Sequence, residues 1–227
     1  MTGDKSGNER YPVAQHCILV LPTLLMLVVL YAVFHSEEAI AVFFEDHSDN
    51  HQRLKYAFDR ISCYANIPYY LMYGAILIIG IRRNKPPLRY FVVSYLLSLA
   101  ATLITVEALK HVVGRPRPDV NTPPVPFSGH DDYESFPSAH MTETTVSTLP
   151  LVLRYGQIAF PLIAGLSNAL MGFSRIYLGE HHPSDIAGGL LLGSFFAVCF
   201  RRLMRAGQAN PYLNLAFLYK RKEPPTP

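Results

Sequence analysis

Six apolar stretches, each close to the length that spans a lipid bilayer, constrain this chain more than any other feature of its sequence. They occupy residues 17–34, 61–81, 91–108, 138–153, 158–177 and 186–200. A transmembrane helix needs roughly 20 mainly apolar residues. The sequence therefore predicts an all-α, polytopic membrane protein with six transmembrane helices, organised as a single domain over residues 1–227.

The segments outside these stretches are polar or mixed. Residues 1–15 form a polar N-terminal tail, and residues 205–227 form a basic C-terminal tail. Residues 35–60 contain a helix start at Ser36 followed by scattered apolar residues, a pattern typical of a helix lying along the membrane surface. No small-residue cleavage site follows the first apolar stretch, so we expect that stretch to remain as a membrane anchor.

The distribution of Lys and Arg predicts the orientation of the bundle. With six spans both termini lie on one side, and that side carries thirteen of the twenty Lys and Arg residues, six of them after residue 200. Cytoplasmic loops carry the excess of basic residues in membrane proteins. We therefore expect cytoplasmic termini and opposite loops in the periplasm, the cell exterior or, in a eukaryote, an organelle lumen. The short chain favours a bacterial inner membrane.

Composition excludes several other classes of protein. The net charge of +3 is too small to indicate nucleic-acid binding, and no basic stripe interleaved with aromatic residues is present. The three cysteines, Cys17, Cys63 and Cys199, are far apart and odd in number, which argues against a disulfide framework or a zinc site. We expect them to be small buried hydrophobic residues.

Three polar clusters stand at the ends of predicted membrane helices. Residues 110–118 read KHVVGRPRP, residues 136–140 read FPSAH, and residues 174–185 read SRIYLGEHHPSD. Cations and histidines at a membrane boundary are costly to keep unless they have a function. Lys110, Arg117 and Arg175 have the charge to neutralise a phosphate, and a planar guanidinium binds phosphate oxygens in pairs. Ser138 begins a helix, where backbone N–H groups attract an anion.

These three clusters resemble the signature of the type 2 phosphatidic acid phosphatase superfamily, which includes lipid phosphatases and vanadium haloperoxidases. The family pattern is Lys, six residues, Arg-Pro; then Pro-Ser-Gly-His; then Ser-Arg, five residues, His, three residues, Asp. Every position of the pattern is matched here except one, because Ala139 stands where the family has Gly. The matching motifs span residues 110–185.

The resemblance implies a role for each matching residue. His181 is the expected nucleophile, which forms a phosphohistidine intermediate, and Asp185 holds and polarises its ring. His140 is the expected general acid toward the departing lipid oxygen. The phosphate-binding residues are then Lys110, Arg117, Ser138, Ala139 and Arg175. No metal and no cofactor are expected, since three cations already neutralise the phosphate.

Several nearby polar residues need a separate interpretation. His130 lies in a second Ser-Gly-His sequence, but residues 131–134 read DDYE and cannot open a membrane helix, so we assign the catalytic role to His140. Glu180, His111 and His182 have no role in the pattern and are interpreted as polar residues at the rim. Glu107 lies one helical turn before Lys110, where the two can pair.

The predicted function is hydrolysis of a phosphate monoester or pyrophosphate on a membrane lipid. Phosphatidic acid, phosphatidylglycerol phosphate, undecaprenyl pyrophosphate and a lipid A phosphate all suit this chemistry, and their metabolism belongs to the cell envelope. The alternative is a non-catalytic member of the same fold that binds or moves lipids. The expected partners are the bilayer and the lipid substrate, with no nucleic acid and no obligate protein partner.

Overall fold

The structure, a computed structural model, describes residues 12–209. The predicted tails therefore lie largely outside the described residues, which leave out residues 1–11 and 210–227. Within the described part the chain forms eight α-helices, a single 3₁₀ turn at Asp131–Tyr133 and no β-strand. The helices are α1 (Val13–Phe34), α2 (Glu37–Asn50), α3 (Gln52–Tyr64), α4 (Ile67–Arg82), α5 (Pro86–Val113), α6 (Ala139–Tyr155), α7 (Ala159–Tyr177) and α8 (Pro183–Ala209). The all-α prediction is confirmed.

Four helical segments in the described range are long and apolar enough to cross a membrane. They are α1, the segment from Gln52 to Arg82 that contains α3 and α4, α5, and the part of α8 that ends at Arg202. The other three helices, α2, α6 and α7, have 14, 17 and 19 residues and are not among these segments. Six membrane crossings therefore stay a prediction.

The second predicted span is divided in two. The sequence predicted one helix over residues 61–81, whereas the chain turns at Ala65 and Asn66 between α3 and α4. Pro68 has no N–H to donate to the carbonyl of Tyr64, so a continuous helix would lose a hydrogen bond at this point. The side chain of Asn66 instead accepts a hydrogen bond of 2.8 Å from Thr144 of α6.

The outer surface of the bundle is apolar. Large side chains such as Val28, Leu71 and Ile104 are exposed on it, as expected for helices that face lipid. Cys17 and Cys63 are also exposed, so the expectation of buried cysteines was wrong for both. An apolar stretch in a membrane helix covers the lipid-facing and the core-facing sides alike, and hydrophobicity alone does not distinguish them.

Helix α6 forms the centre of the bundle, with α5, α7 and α8 packed around it. Its buried hydroxyls are satisfied within the helix, since Thr142, Thr145 and Thr148 each donate to the carbonyl four residues earlier. Helix α8 approaches very closely through its glycines. A Cβ on Gly189 would lie 2.8 Å from the carbonyl oxygen of Ser138. This close packing brings the beginnings of α6 and α8 together.

Candidate active site

The three polar clusters meet at one end of the bundle. Lys110 lies in the last turn of α5, His140 in the first turn of α6, and Arg175 in the last turn of α7. His140 is electrostatically coupled to Arg175, His181, Lys110 and Arg117. Residues that are up to 71 positions apart in the chain thus form a single site.

His181 is held in one orientation. It lies in the loop between α7 and α8 with only 4% of its side chain exposed. Its Nδ1 donates a hydrogen bond of 2.8 Å to the backbone carbonyl of Ser135, because a carbonyl can only accept. Burial lowers the pKa of His181, Asp185 partly opposes this shift, and Arg175 adds to it. The neutral ring therefore carries its proton on Nδ1 and leaves a lone pair on Nε2.

Asp185 acts on His181 mainly through other residues. Its carboxylate is fully buried and lies 3.7 Å from Nδ1 of His181, longer than a hydrogen bond. One oxygen accepts from Ser135 Oγ at 2.5 Å and from the backbone N–H of His182 at 2.8 Å. The carboxylate thus fixes Ser135, whose carbonyl holds the imidazole. The resemblance predicted that Asp185 holds and polarises the ring. In the structure the carboxylate lies 3.7 Å from Nδ1, and its hydrogen bond toward the ring runs through Ser135.

A second arginine of the first cluster completes this network. Arg115 donates to the other Asp185 oxygen at 2.6 Å and to Glu37, at the beginning of α2, at 2.7 Å. Glu37 also accepts from Tyr31 and from the backbone N–H of Ser184, each at 2.8 Å. Burial opposes ionisation of Glu37, but the hydrogen bonds from Ser184 and Tyr31 and the charge of Arg115 outweigh it and lower its pKa to about 2.

Two of the three expected phosphate-binding cations share one internal carboxylate. Glu180 forms ion pairs with Arg117 and with Arg175, the latter at 3.3 Å. Its interpretation as a rim residue was therefore incomplete, because it occupies a position between the two guanidiniums. Arg117 also donates from Nε to the carbonyl of Asp131 at 2.9 Å, which fixes its side chain toward the site.

Lys110 has carboxylates on two sides. Its ammonium lies 3.4 Å from Glu107 and 3.7 Å from Glu134, and 12% of its side chain is exposed. The predicted pairing with Glu107 is confirmed. Both distances exceed that of a tight charge-assisted hydrogen bond, so the ammonium keeps capacity for another acceptor.

One further donor in the site has no acceptor. Nε of Arg175 is buried and has no hydrogen-bond partner among the described residues. Ser138 caps α6 by accepting from the N–H of Met141 at 3.4 Å, and its own N–H donates to the carbonyl of Asp185 at 3.1 Å. Ala139 is the first residue of α6 and has ordinary helical geometry, so its Cβ causes no backbone strain. Unpaired donors beside several cations are suited to an anion.

Sequence reasoning missed Ser135, Arg115 and Glu37. The doubled Arg-Pro in residues 115–118 was a visible signal for Arg115. Ser135 and Glu37 carry no such signal, because their roles depend on the folded contact of distant segments. The rejected His130 is exposed, and the assignment of the catalytic role to His140 stays a prediction.

The fold and the site together define an integral membrane protein with a cluster of cationic side chains around two histidines. Residues 91–208 match the PAP2 superfamily, and the chain belongs to this superfamily. It is 35% identical over 100 residues to the lipid A 1-phosphatase of Rhizobium johnstonii, a match that covers 42% of this chain and 40% of that protein. The chain thus spans well under half the length of that relative.

Two Bacillus subtilis proteins match over more of the chain. The undecaprenyl-diphosphatase BcrC is 29% identical over 156 residues, which cover 68% of this chain and 76% of BcrC. The crystal structure of a transmembrane PAP2-type phosphatidylglycerolphosphate phosphatase matches with a TM-score of 0.53 and 24% identity, over 81% of this chain and 94% of that one. The structural match shows a shared fold.

Proposed function

We propose that this chain hydrolyses a phosphate monoester or pyrophosphate on a membrane lipid through a phosphohistidine intermediate. The observation that carries this proposal is the arrangement of His181, a buried imidazole with its Nδ1 proton held by Ser135 and Nε2 left free. Lys110, Arg117 and Arg175 lie beside it. A nucleophile beside a preorganised set of cations is the arrangement that phosphoryl transfer requires.

The first chemical step transfers the phosphoryl group to the protein. Nε2 of His181 attacks phosphorus, the bond from phosphorus to the lipid oxygen breaks, and His140 donates a proton to that oxygen. The three cations stabilise the charge on the oxygens that do not react. Backbone N–H groups in the first turn of α6, which have no partner inside the helix, add to this stabilisation.

The second step releases inorganic phosphate. Water attacks the phosphohistidine, His140 accepts a proton from that water, and the bond between phosphorus and Nε2 breaks. His181 returns to its neutral form with the proton still on Nδ1. Because its pKa is lowered, the neutral ring remains the main form at neutral pH.

A side-by-side assay tests the proposal and narrows the substrate. Detergent-purified protein is incubated with phosphatidic acid, phosphatidylglycerol phosphate, undecaprenyl pyrophosphate and a lipid A phosphate, and phosphate release is measured. We expect release from at least one of the four, abolished in His181→Ala. Release from none of them would favour the second candidate function, a lipid-binding or lipid-moving protein with an inactive site.

The same assay tests whether a metal takes part. Three side-chain cations are available to neutralise the phosphate, so we expect activity to persist in EDTA and to be inhibited by vanadate, which mimics five-coordinate phosphorus. Complete loss of turnover in EDTA, restored by magnesium or zinc, would contradict a metal-independent mechanism.

A further inference from the structure

A separate cavity lies at the opposite end of the bundle from the histidine site. It has a volume of about 430 Å³ and is bordered by the first turns of α5, the last turns of α6 and the C-terminal half of α8. Along α6 the lining residue nearest to His140 is Pro150, ten residues later, which corresponds to about 15 Å of helix. The proposed phosphatase mechanism uses no residue of this cavity.

The polar groups of the cavity are basic or neutral. Arg154 and Arg201 line it, and no Asp or Glu is among the lining residues in the described part of the chain. The guanidinium of Arg154 lies 4.8 Å from the ring centre of Phe91, and its Nε donates to the Tyr155 hydroxyl at 2.9 Å. Its two terminal nitrogens have no partner among the described residues. Arg201 is fixed by a hydrogen bond of 2.9 Å to the carbonyl of Leu153.

One buried hydroxyl of the cavity wall also has no partner. Ser98 of α5 is fully buried, and its Oγ makes no hydrogen bond within the described residues. Burying a hydroxyl without a partner costs free energy. An acceptor inside the cavity would satisfy Ser98, and an anion at the end of the cavity near Phe91 would satisfy the free nitrogens of Arg154.

We propose that this cavity binds the head group of an anionic phospholipid that is not a substrate. The unpaired terminal nitrogens of Arg154 favour a negatively charged occupant. Most other lining residues are apolar, among them Leu153, Phe200 and Met204, and two of the three helices that border the cavity, α5 and α8, are candidate membrane spans. An anion with attached acyl chains matches both properties. Basic pockets between membrane helices bind such head groups in this way.

Thermal unfolding of the detergent-purified full chain, titrated with short-chain lipids, tests the proposal. Phosphatidylglycerol and phosphatidylcholine of the same chain length are compared, and both are phosphodiesters that a monoester site does not hydrolyse. We expect phosphatidylglycerol to raise the unfolding midpoint and phosphatidylcholine to have little effect. In Arg154→Gln the apparent Kd for phosphatidylglycerol should rise about fivefold, as expected for one basic contact to a lipid head group.

Two further variants make the result specific. Arg202→Gln also removes one positive charge, next to Arg201 in α8. Arg202 is exposed and does not line the cavity, so this variant should bind phosphatidylglycerol like the wild type. Ser94→Leu fills the cavity from the α5 side and should weaken binding even if Arg154→Gln is poorly folded. Equal stabilisation by both lipids, or equal affinities in all variants, would overturn the proposal.

Inorganic phosphate serves as the final arm of the experiment. If phosphate stabilises the wild type as well as phosphatidylglycerol does, and this effect also depends on Arg154, the cavity binds a soluble anion and the lipid assignment is wrong. Since the readout is binding without turnover, the outcome is independent of whether the protein releases phosphate from any lipid.

Discussion

The chemistry proposed for single residues depends on which atoms of the two histidines are free. The carbonyl of Ser135 fixes the proton of His181 on Nδ1. His140 instead lies in the first turn of α6, within the field of Lys110, Arg117 and Arg175. His181 is thus arranged for the proposed attack on phosphorus. His140 lies near the cations that we propose to bind the phosphate. The two residues should respond differently to the quality of the leaving group.

The first prediction concerns this difference. A lipid alkoxide leaves poorly without a proton, so His140→Ala should slow the first turnover on a lipid phosphate by roughly 10²- to 10⁴-fold. A nitrophenolate leaves well unaided, so the same variant should keep much more of its burst on an aryl phosphate. His181→Ala should be inactive on both. Equal losses of the burst on the two substrates in a folded His140→Ala protein would remove His140 from the general-acid role.

The second prediction concerns Glu180. Its carboxylate pairs with both Arg117 and Arg175, so a phosphate that binds these arginines competes with it. Glu180→Gln should therefore lower the inhibition constant for vanadate about fivefold, the size of roughly one partly exposed ion pair. Asp46→Asn, which removes an exposed carboxylate from α2, is the matched control and should not change the constant. Weaker vanadate binding in Glu180→Gln would mean that Glu180 positions the arginines instead.

At the scale of helices, the sequence predicted the elements much better than their contacts. Long apolar stretches marked the membrane helices, and the Ser-Ala-His segment marked the beginning of α6. The break at Asn66 and the outward-facing Cys17 and Cys63 were missed, because a uniformly apolar stretch does not indicate which side faces lipid. Glu37 was recognised only as part of a helix start. Its ion pair joins residues 78 positions apart, and no local pattern encodes such a contact.

The third prediction follows from that ion pair, which ties α2 to the site. Glu37→Gln should lower kcat/KM on a soluble aryl phosphate about tenfold, the effect of losing one charge-assisted contact. It should also increase hydrogen exchange in α2. Because the pKa of Glu37 in the folded protein is about 2, below its ordinary value of 4.5, the contact should be complete above pH 4.5 and be lost only as the pH falls toward 2.

Two comparisons define the outcome for Glu37. The neighbouring exposed Glu38 provides the control, and Glu38→Gln should leave both the activity and the exchange of α2 unchanged. A wild-type protein whose α2 exchange already rises between pH 7 and pH 5 would show that the carboxylate of Glu37 does not hold the helix.

At the scale of the whole molecule, the fourth prediction concerns orientation in the membrane. The count of basic residues predicts that the termini lie in the cytoplasm and the histidine site on the other side. In a background without Cys17, Cys63 and Cys199, Ser128→Cys should react with an impermeant thiol reagent in intact cells. Asn84→Cys, in the turn between α4 and α5, should not react. The opposite labelling pattern would reverse the orientation.

The central position of α6 has a consequence for how the protein is made. This helix carries His140, four threonines and Glu143, whose carboxylate contacts the Tyr70 hydroxyl of α4. A newly synthesised helix enters lipid from the translocon according to its own hydrophobicity, and polar residues near its centre oppose that step. Since α6 is shielded by α4, α5 and α8 in the finished bundle, we expect its stable insertion to depend on helices made before and after it.

The insertion of α6 can be compared between a shortened chain that ends after this helix and the complete chain. A reporter fused after residue 157, with nothing following, should reveal inefficient insertion of α6, whereas the same reporter placed within the turn at residues 156–158 of the complete chain should reveal full insertion. Efficient insertion in the shortened chain would show that α6 enters lipid unaided. If its insertion requires α8, then α6 is among the last helices of the protein to insert stably into the membrane. Substitutions at Gly189 or Gly193, which pack against α6, will then impair biosynthesis as well as the stability of the finished protein.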